Sequence, residues 1–472
     1  MRHILFILIA TFTVYNASAN FGSHGLVNSK SVLMGNGGSA YSDGIYNVHL
    51  NPASIISSSD SSYFQFFFPG LDLNAQAYTN ALPIDDFNYF FGGVDDGMGN
   101  TIGRTLTSAD KDRLISNFED GGQIGVNTNI NWFSMGLYAN DKIGAFALSI
   151  SDHINYNMTL PQSLMELLIK SNQPGRTYNF DDFTLSASWI RSYGLTYSRK
   201  IITNGEGLFK HINGGLTLKY YQGMGFTEMT MENTSFFTHV NDHQLDIAYT
   251  LIQNNAYSSG ASGFFNEDEE EGNFSPFESA GSGIGFDLGF SAELDMGLVI
   301  AASITDAGSF NWDVNAEERI ISSSTSISDL TEEEQLDSLL ESGDPVTRSL
   351  SQIEGQLPTA LRIGFWLPVH KVAAVPGELN LTLDFNQGFN DYAANSTISR
   401  ISVGVDWKPF KYWPKLLTGF SNDRIGGTRW SMGLGYSPSF MDIYIGTHDL
   451  ISAFSPNDHA SVAFGIRWKI LN

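Results

Sequence analysis

His239 and His243, in the stretch HVNDH, are the nearest this chain comes to a metal site. On a strand, residues four apart share a face, and Asp242 falls on the other one. Structural zinc takes four ligands and catalytic zinc three, so loop polarity explains the pair without a metal. Glu267, Asp268, Glu269, Glu270 and Glu271 form an unbroken acidic run. Carboxylates suit hard cations such as calcium, but a run of one sign is first of all a solvated loop tip. Gly281-Ser282-Gly283-Ile284-Gly285 imitates a dinucleotide loop, yet it opens a strand rather than a helix, and wall glycines account for it. The sequence holds no His-Glu-x-x-His, no phosphate-binding loop and no Gly-x-Ser-x-Gly elbow. It holds no cysteine either, which excludes disulfides and thiolate chemistry. The expectation is a protein without catalysis, cofactor or resident metal.

What the chain does carry is a strand pattern. Arg2, the apolar run Ile4 to Val14 and the small residues Ala17-Ser18-Ala19 predict an export signal over 1–19. No later segment offers the roughly 18 unbroken apolar residues of a membrane helix. Acids outnumber bases, 50 to 25, which argues against nucleic acid as a partner. Charged residues are only 16% of the chain, aromatics reach 13%, and there are 47 glycines. A soluble domain of this length normally carries more charge. Along the chain, Leu379, Leu381, Leu383 and Phe385 alternate with Asn380, Thr382, Asp384 and Asn386. Ile284, Phe286, Leu288 and Phe290 alternate with Gly285, Asp287, Gly289 and Ser291. Ile401 to Lys408 and Ser461 to Trp468 repeat the pattern. One face is bulky and apolar, the other small or polar, which suits lipid outside and a lumen inside.

The spacing predicts strands near 62–69, 124–139, 143–156, 180–199, 212–224, 281–294, 297–311, 357–367, 378–388, 399–408, 415–422, 428–436, 440–448 and 460–470. That is an all-β, antiparallel transmembrane barrel of about 14 strands, with short turns at one end and long loops at the other. The long loops span 70–123, 157–179, 225–280 and 312–356. Short helices are expected in three of them: after Thr107, after Pro161 with Leu164, Leu167 and Leu168 as its stripe, and after Thr331 with Glu334. Residues 225–280 should begin as a hairpin that outgrows the membrane. Lysines 142, 200, 210, 371, 408, 411 and 415 gather at the short turns. Trp366, Trp407, Phe410, Tyr412 and Trp413 sit at strand ends, where interfacial aromatic belts form. At Trp132-Phe133 the alternation changes phase, and a bulge there would restore register or open a gap in the wall.

A barrel this wide has a lumen that its own wall side chains cannot fill. Residues 20–61 precede the first strand and are rich in small residues. They end in Asn51-Pro52-Ala53, where Asn51 can cap a turn that starts with Pro52. They are expected to thread into the lumen as a plug. The stretch MGNGGSAYSDGIYNVHLNPASI, Met34 to Ile55, resembles the N-terminal signature of the FadL-like outer-membrane transporters of long-chain fatty acids and other hydrophobic compounds. That resemblance implies a hatch with Asn51, Pro52 and Ala53 as its turn, plugging a 14-stranded barrel. LPQSLMELLIKSN (160–172), YGLTYSRKI (193–201), LTLKYYQGMGF (216–226) and LPTALRIGF (357–365) together resemble an uncharacterised Bacteroidota outer-membrane family, a domain of unknown function related to FadL.

Two functions remain open at this point. One is passive transport of a hydrophobic small molecule across the outer membrane, with lipid around the wall and the hatch as gate. The other is a scaffold or docking barrel for exported or surface proteins, by analogy with a type IX secretion accessory.

Overall fold

The computed structural model describes residues 27–41, 43–56, 62–67, 72–203, 208–238, 250–262, 279–295, 297–327, 346–392, 395–423, 427–454 and 459–471. His239, His243, the acidic run 267–271 and the segment after Thr331 lie outside them, as do residues 1–26.

Fourteen antiparallel strands close on themselves. They are β1 (Ser62–Phe67 and Asp72–Thr79), β2 (Gly122–Asn140), β3 (Gly144–Leu160), β4 (Thr184–Thr203), β5 (Phe209–Met231), β6 (Gly281–Leu294) and β7 (Val299–Trp312). The second half is β8 (Ala360–Pro368), β9 (Glu378–Gly388), β10 (Arg400–Lys408), β11 (Lys415–Asp423), β12 (Gly427–Tyr436), β13 (Met441–Thr447) and β14 (His459–Leu471). Each pairs with its sequence neighbour, and β1 closes the ring against β14. Closure satisfies every edge, which is what allows a sheet to cross lipid.

The alternation works as its chemistry dictates. Ile284, Phe286, Leu288 and Phe290 of β6 point outward and stay exposed, as do Leu216, Leu218 and Tyr220 of β5. So large an apolar surface is stable only against lipid. No helix among the described residues is long and apolar enough to cross a membrane. The opposite face is buried, although it opens on a lumen, because another part of the chain fills it.

The first strand is longer than Phe68-Pro69-Gly70 suggests. The Pro-Gly pair reads as a strand end, so 70–123 looks like one loop. In the structure Asp72–Thr79 rejoins the wall, with Asn74, Gln76 and Tyr78 buried inward. Beyond the membrane, β5 runs on, and Gly225–Met231 pairs with Ala256–Ser262. Residues 250–260 also pair with 317–327, giving a sheet above the rim.

Helices α1 (Ser29–Leu33), α2 (Ile84–Phe91), α3 (Ser108–Ser116) and α4 (Gln162–Lys170) complete the core elements. Thr107 and Asp110 form a reciprocal capping box at the start of α3. The packing face of α4 is not the expected leucine stripe. Met165 and Ile169 pack with Phe90, Leu114 and Phe118, while Leu168 is 68% exposed. The stripe is offset by one residue because the neighbours are α2 and α3 rather than the rim.

Candidate functional site

The site is the lumen and what fills it. Every described residue from Val27 to Ile56 whose exposure is defined is buried. Asn28 caps α1 by accepting from the Ser31 N–H at 2.8 Å, and its amide donates to the Tyr46 carbonyl at 2.7 Å. Asn51 adopts an extended φ of −157° and accepts from the Ala53 N–H at 3.0 Å, so Pro52 begins a single 3-10 turn. Its amide nitrogen reaches the Phe290 carbonyl of β6 at 3.1 Å. The wall makes room for this turn by omitting side chains. A Cβ on Gly289 would lie 2.0 Å from Asn51 Oδ1, and one on Gly215 would lie 2.3 Å from the Pro52 carbonyl carbon. Farther round, a Cβ on Gly419 would meet Met34 and one on Gly465 would meet Ser29. Several wall glycines are thus the plug's footprint.

Charge holds the plug in place. Lys30 donates to Asp43 Oδ2 at 2.5 Å and lies 3.3 Å from Asp406 of β10. Asp43 in turn receives Arg467 of β14 at 2.9 Å, and Arg467 also binds Asp442 of β13 at 2.5 Å. Lys415 is 3.3 Å from Asp406, and Lys469 is 3.1 Å from Asp442. Lys30 sits 3.9 Å from the centre of the Tyr41 ring, and Arg467 4.7 Å from that of Tyr46. Burial alone would strip the charge from Lys30, but the Asp43 carboxylate beside it holds its affinity for the proton well above the ordinary lysine range. Burial works against the Asp43 carboxylate too, and the Arg467 and Lys30 cations overcome it, holding that group well below the usual range. On the opposite flank Asp384 of β9 accepts from the Gly38 and Ser39 N–H groups at 2.7 and 2.9 Å. Above the plug, Lys219 of β5 bridges Asp287 and Asp306 at 2.9 and 2.6 Å. His49 faces this group. Burial, with Lys219 and His153 adding like charge, lowers its pKa to about 3, so it is neutral in the lumen.

These wall charges were legible only as members of a polar face. Asp287, Asp384, Asp406 and Arg467 have the right parity, but nothing in the sequence says which of them meets the plug. Trp366 is a second departure. It does not join an interfacial belt: it is 5% exposed and turned inward, its ring 5.1 Å from that of Tyr41. It shares the parity of Arg362 and Gly364, which decides its face. Phe410, Tyr412 and Trp413 do remain exposed at a short turn.

The wall register shifts at several places, and one of them lies against the plug. Phe67 pairs with Ser134 of β2, and Asp72 pairs with Asn131. Phe67 and Asp72, five positions apart, thus face Ser134 and Asn131, only three apart, with Trp132 and Phe133 between them. The β2–β3 register shifts between Asn131 and Phe133, and Trp132 points outward, 40% exposed. The plug touches both edges of this irregularity. Asp72 accepts from the Ser29 N–H at 2.8 Å, and Asn131 donates to the Val27 carbonyl at 3.2 Å. Arg467, the ligand of Asp43, lies on β14 two residues from Gly465, the partner of Asp72.

Among the described residues no group of three or more metal-ligating side chains occurs.

A closed, plugged barrel with a lipid-facing apolar exterior is a transmembrane protein of the bacterial outer-membrane type. The chain belongs to the family of unknown function DUF5723, whose model matches residues 56–448. Among solved structures it is similar to the toluene transporter TbuX of Ralstonia pickettii, with 12% identity, a TM-score of 0.46, and coverage of 96% of this chain and 100% of that one. The toluene transporter TodX of Pseudomonas putida is similar at 10% identity and a TM-score of 0.47, over 96% and 99% of the two chains. A FadL homologue of Pseudomonas aeruginosa gives 11% identity and a TM-score of 0.24, over 96% and 100%. No curated protein matches the chain.

Proposed function

We propose that the protein is a passive outer-membrane channel for a hydrophobic small molecule, gated by the plug. The observation that carries this reading is the placement of the plug's polar anchors. Asp72, Asn131 and Arg467 lie around the wall irregularity at Trp132, and all three bind residues 27–43. Withdrawal of the plug removes those contacts together and loosens the wall where Trp132 already interrupts the register. An apolar solute then leaves the lumen sideways into lipid or downward past the displaced turn at Asn51, Pro52 and Ala53. No bond is made or broken, and the driving force is partition of apolar surface out of water.

A covalent lock tests this. A Cβ on Gly465 would stand 3.1 Å from the Ser29 Cβ, within a few tenths of the span of a disulfide. In the cysteine-free chain, the pair Ser29→Cys and Gly465→Cys should stop uptake of an apolar fluorescent probe when oxidised and restore it when reduced. Equal uptake in both states would overturn the gate.

A docking role for exported proteins is supported by one feature, the sheet that 250–262 and 317–327 build above the rim. A partner recovered with the intact chain but lost on shortening those strands, with uptake unchanged, would favour it.

A further inference from the structure

The short-turn end of the barrel holds a cavity of about 300 Å³ directly beneath the plug. Its cations are Lys371, Lys408, Lys415, Arg467 and Lys469, and its anions are Asp43, Glu378 and Asp442. Five against three leaves the cavity at +2 in a chain whose formal charge is −25. The deep cations are committed: Arg467 and Lys469 to Asp442, and Lys415 to Asp406. The rim cations are not. Lys371, exposed, and Lys408, half-buried, make no ion pair among the described residues. Two buried groups of the lining also stand without a hydrogen-bond partner there, Trp366 Nε1–H and Asn380 Oδ1. Tyr41 and Trp366 form part of the lining. Surplus positive charge at the rim, an orphaned donor inside and aromatic faces between them describe a receptor for an organic anion rather than for a hydrocarbon.

We propose that this cavity binds a small carboxylate with a ring-sized apolar body. Lys371 and Lys408 hold the carboxylate at the mouth, and the body lies inward, toward Tyr41 and Trp366. The site is complete with the plug seated, so it is occupied from the short-turn side, periplasmic in barrels of this type. The inference does not rest on the plug being a gate.

The test is equilibrium binding to the full-length protein in detergent, with benzoate as probe, benzyl alcohol as its uncharged counterpart and inorganic phosphate as a ring-free anion. Benzoate should bind with an affinity that falls as salt rises. Lys371→Gln combined with Lys408→Gln should weaken it about tenfold. Neither probe lacking one half of the ligand should compete. Benzyl alcohol matching benzoate, phosphate matching benzoate, or a double variant that binds benzoate like the parent would each overturn the assignment. Because nothing is transported in this assay, its failure leaves the gating proposal standing, and the disulfide lock can fail without touching this one.

Discussion

Replacing Asp43 with asparagine should free the plug while leaving the wall intact. The Asp43 carboxylate accepts from Lys30 at 2.5 Å and Arg467 at 2.9 Å, and the two cations are 3% and 2% exposed. A hydrogen bond to a charged group contributes about 1.5–3 kcal/mol, so losing two costs about 3–6 kcal/mol. Part of this is retained, because Lys30 keeps Asp406 at 3.3 Å and Arg467 keeps Asp442 at 2.5 Å. A net loss of about 3 kcal/mol is the working figure, and it multiplies the population of displaced plug on the order of 100-fold. Val48, fully buried in the plug, supplies the reporter as Val48→Cys in a chain with no other cysteine. The rate of maleimide labelling in isolated membranes then follows the displaced fraction. Asp43→Asn should raise that rate on the order of 100-fold while the barrel keeps its heat-modifiable migration on a gel. A rise of less than about threefold would show that the ion cluster does not restrain the plug. Loss of the folded barrel would show that Asp43 is needed by the wall.

Gly289→Val should act on the other flank. Its side chain would enter the space of Asn51 Oδ1, so the Asn51-Pro52-Ala53 turn must move, and Val48→Cys labelling should rise at least tenfold without loss of barrel assembly. Deleting Trp132 should remove the bulge and keep the barrel: Asn131 and Phe133 then oppose Ser151 and Ile150 in unbroken alternation, Asn127, Asn129 and Asn131 keep their inward face, and assembly should survive, whereas failed assembly would show that the bulge itself is required. Acid should open the plug through His49. Its pKa is about 3 when buried and about 6.5 when released, so its contribution to closure is complete above pH 6.5 and is lost as pH falls toward 3. Channel openings in planar bilayers should therefore become frequent between pH 6 and pH 4, a rise that His49→Gln should abolish; an unchanged pH profile in that variant would assign the effect elsewhere.

The wall was readable because its rule is local. Ile284, Phe286, Leu288 and Phe290 declare their face by alternation alone, and each strand repeats the statement independently. The plug was half readable. Asn51 followed by Pro52 specifies a capped turn wherever it lies, while its destination depends on Gly215 and Gly289, which in sequence are only two more small residues. The anchoring charges were not readable, since their meaning is a pairing over distance: Arg467 finds Asp43 across 424 positions and Asp384 finds Ser39 across 345. Parity predicted that these side chains point inward, and an empty lumen would have hydrated them. Filling the lumen with residues 27–56 removes that water, so each inward charge must meet either the plug or another wall charge. Lys30 and Asp43 on the plug are what Asp406 and Arg467 on the wall require, and the same requirement makes the plug costly to hold in place once either partner is neutralised. The plug also shares an apolar cluster with the wall, in which Leu33, Ile45 and Val48 join Phe67, Ala147 and Leu417, so the buried ion pairs are the part of its hold that a change of charge or a competing ion can remove, which is the physical condition for a gate.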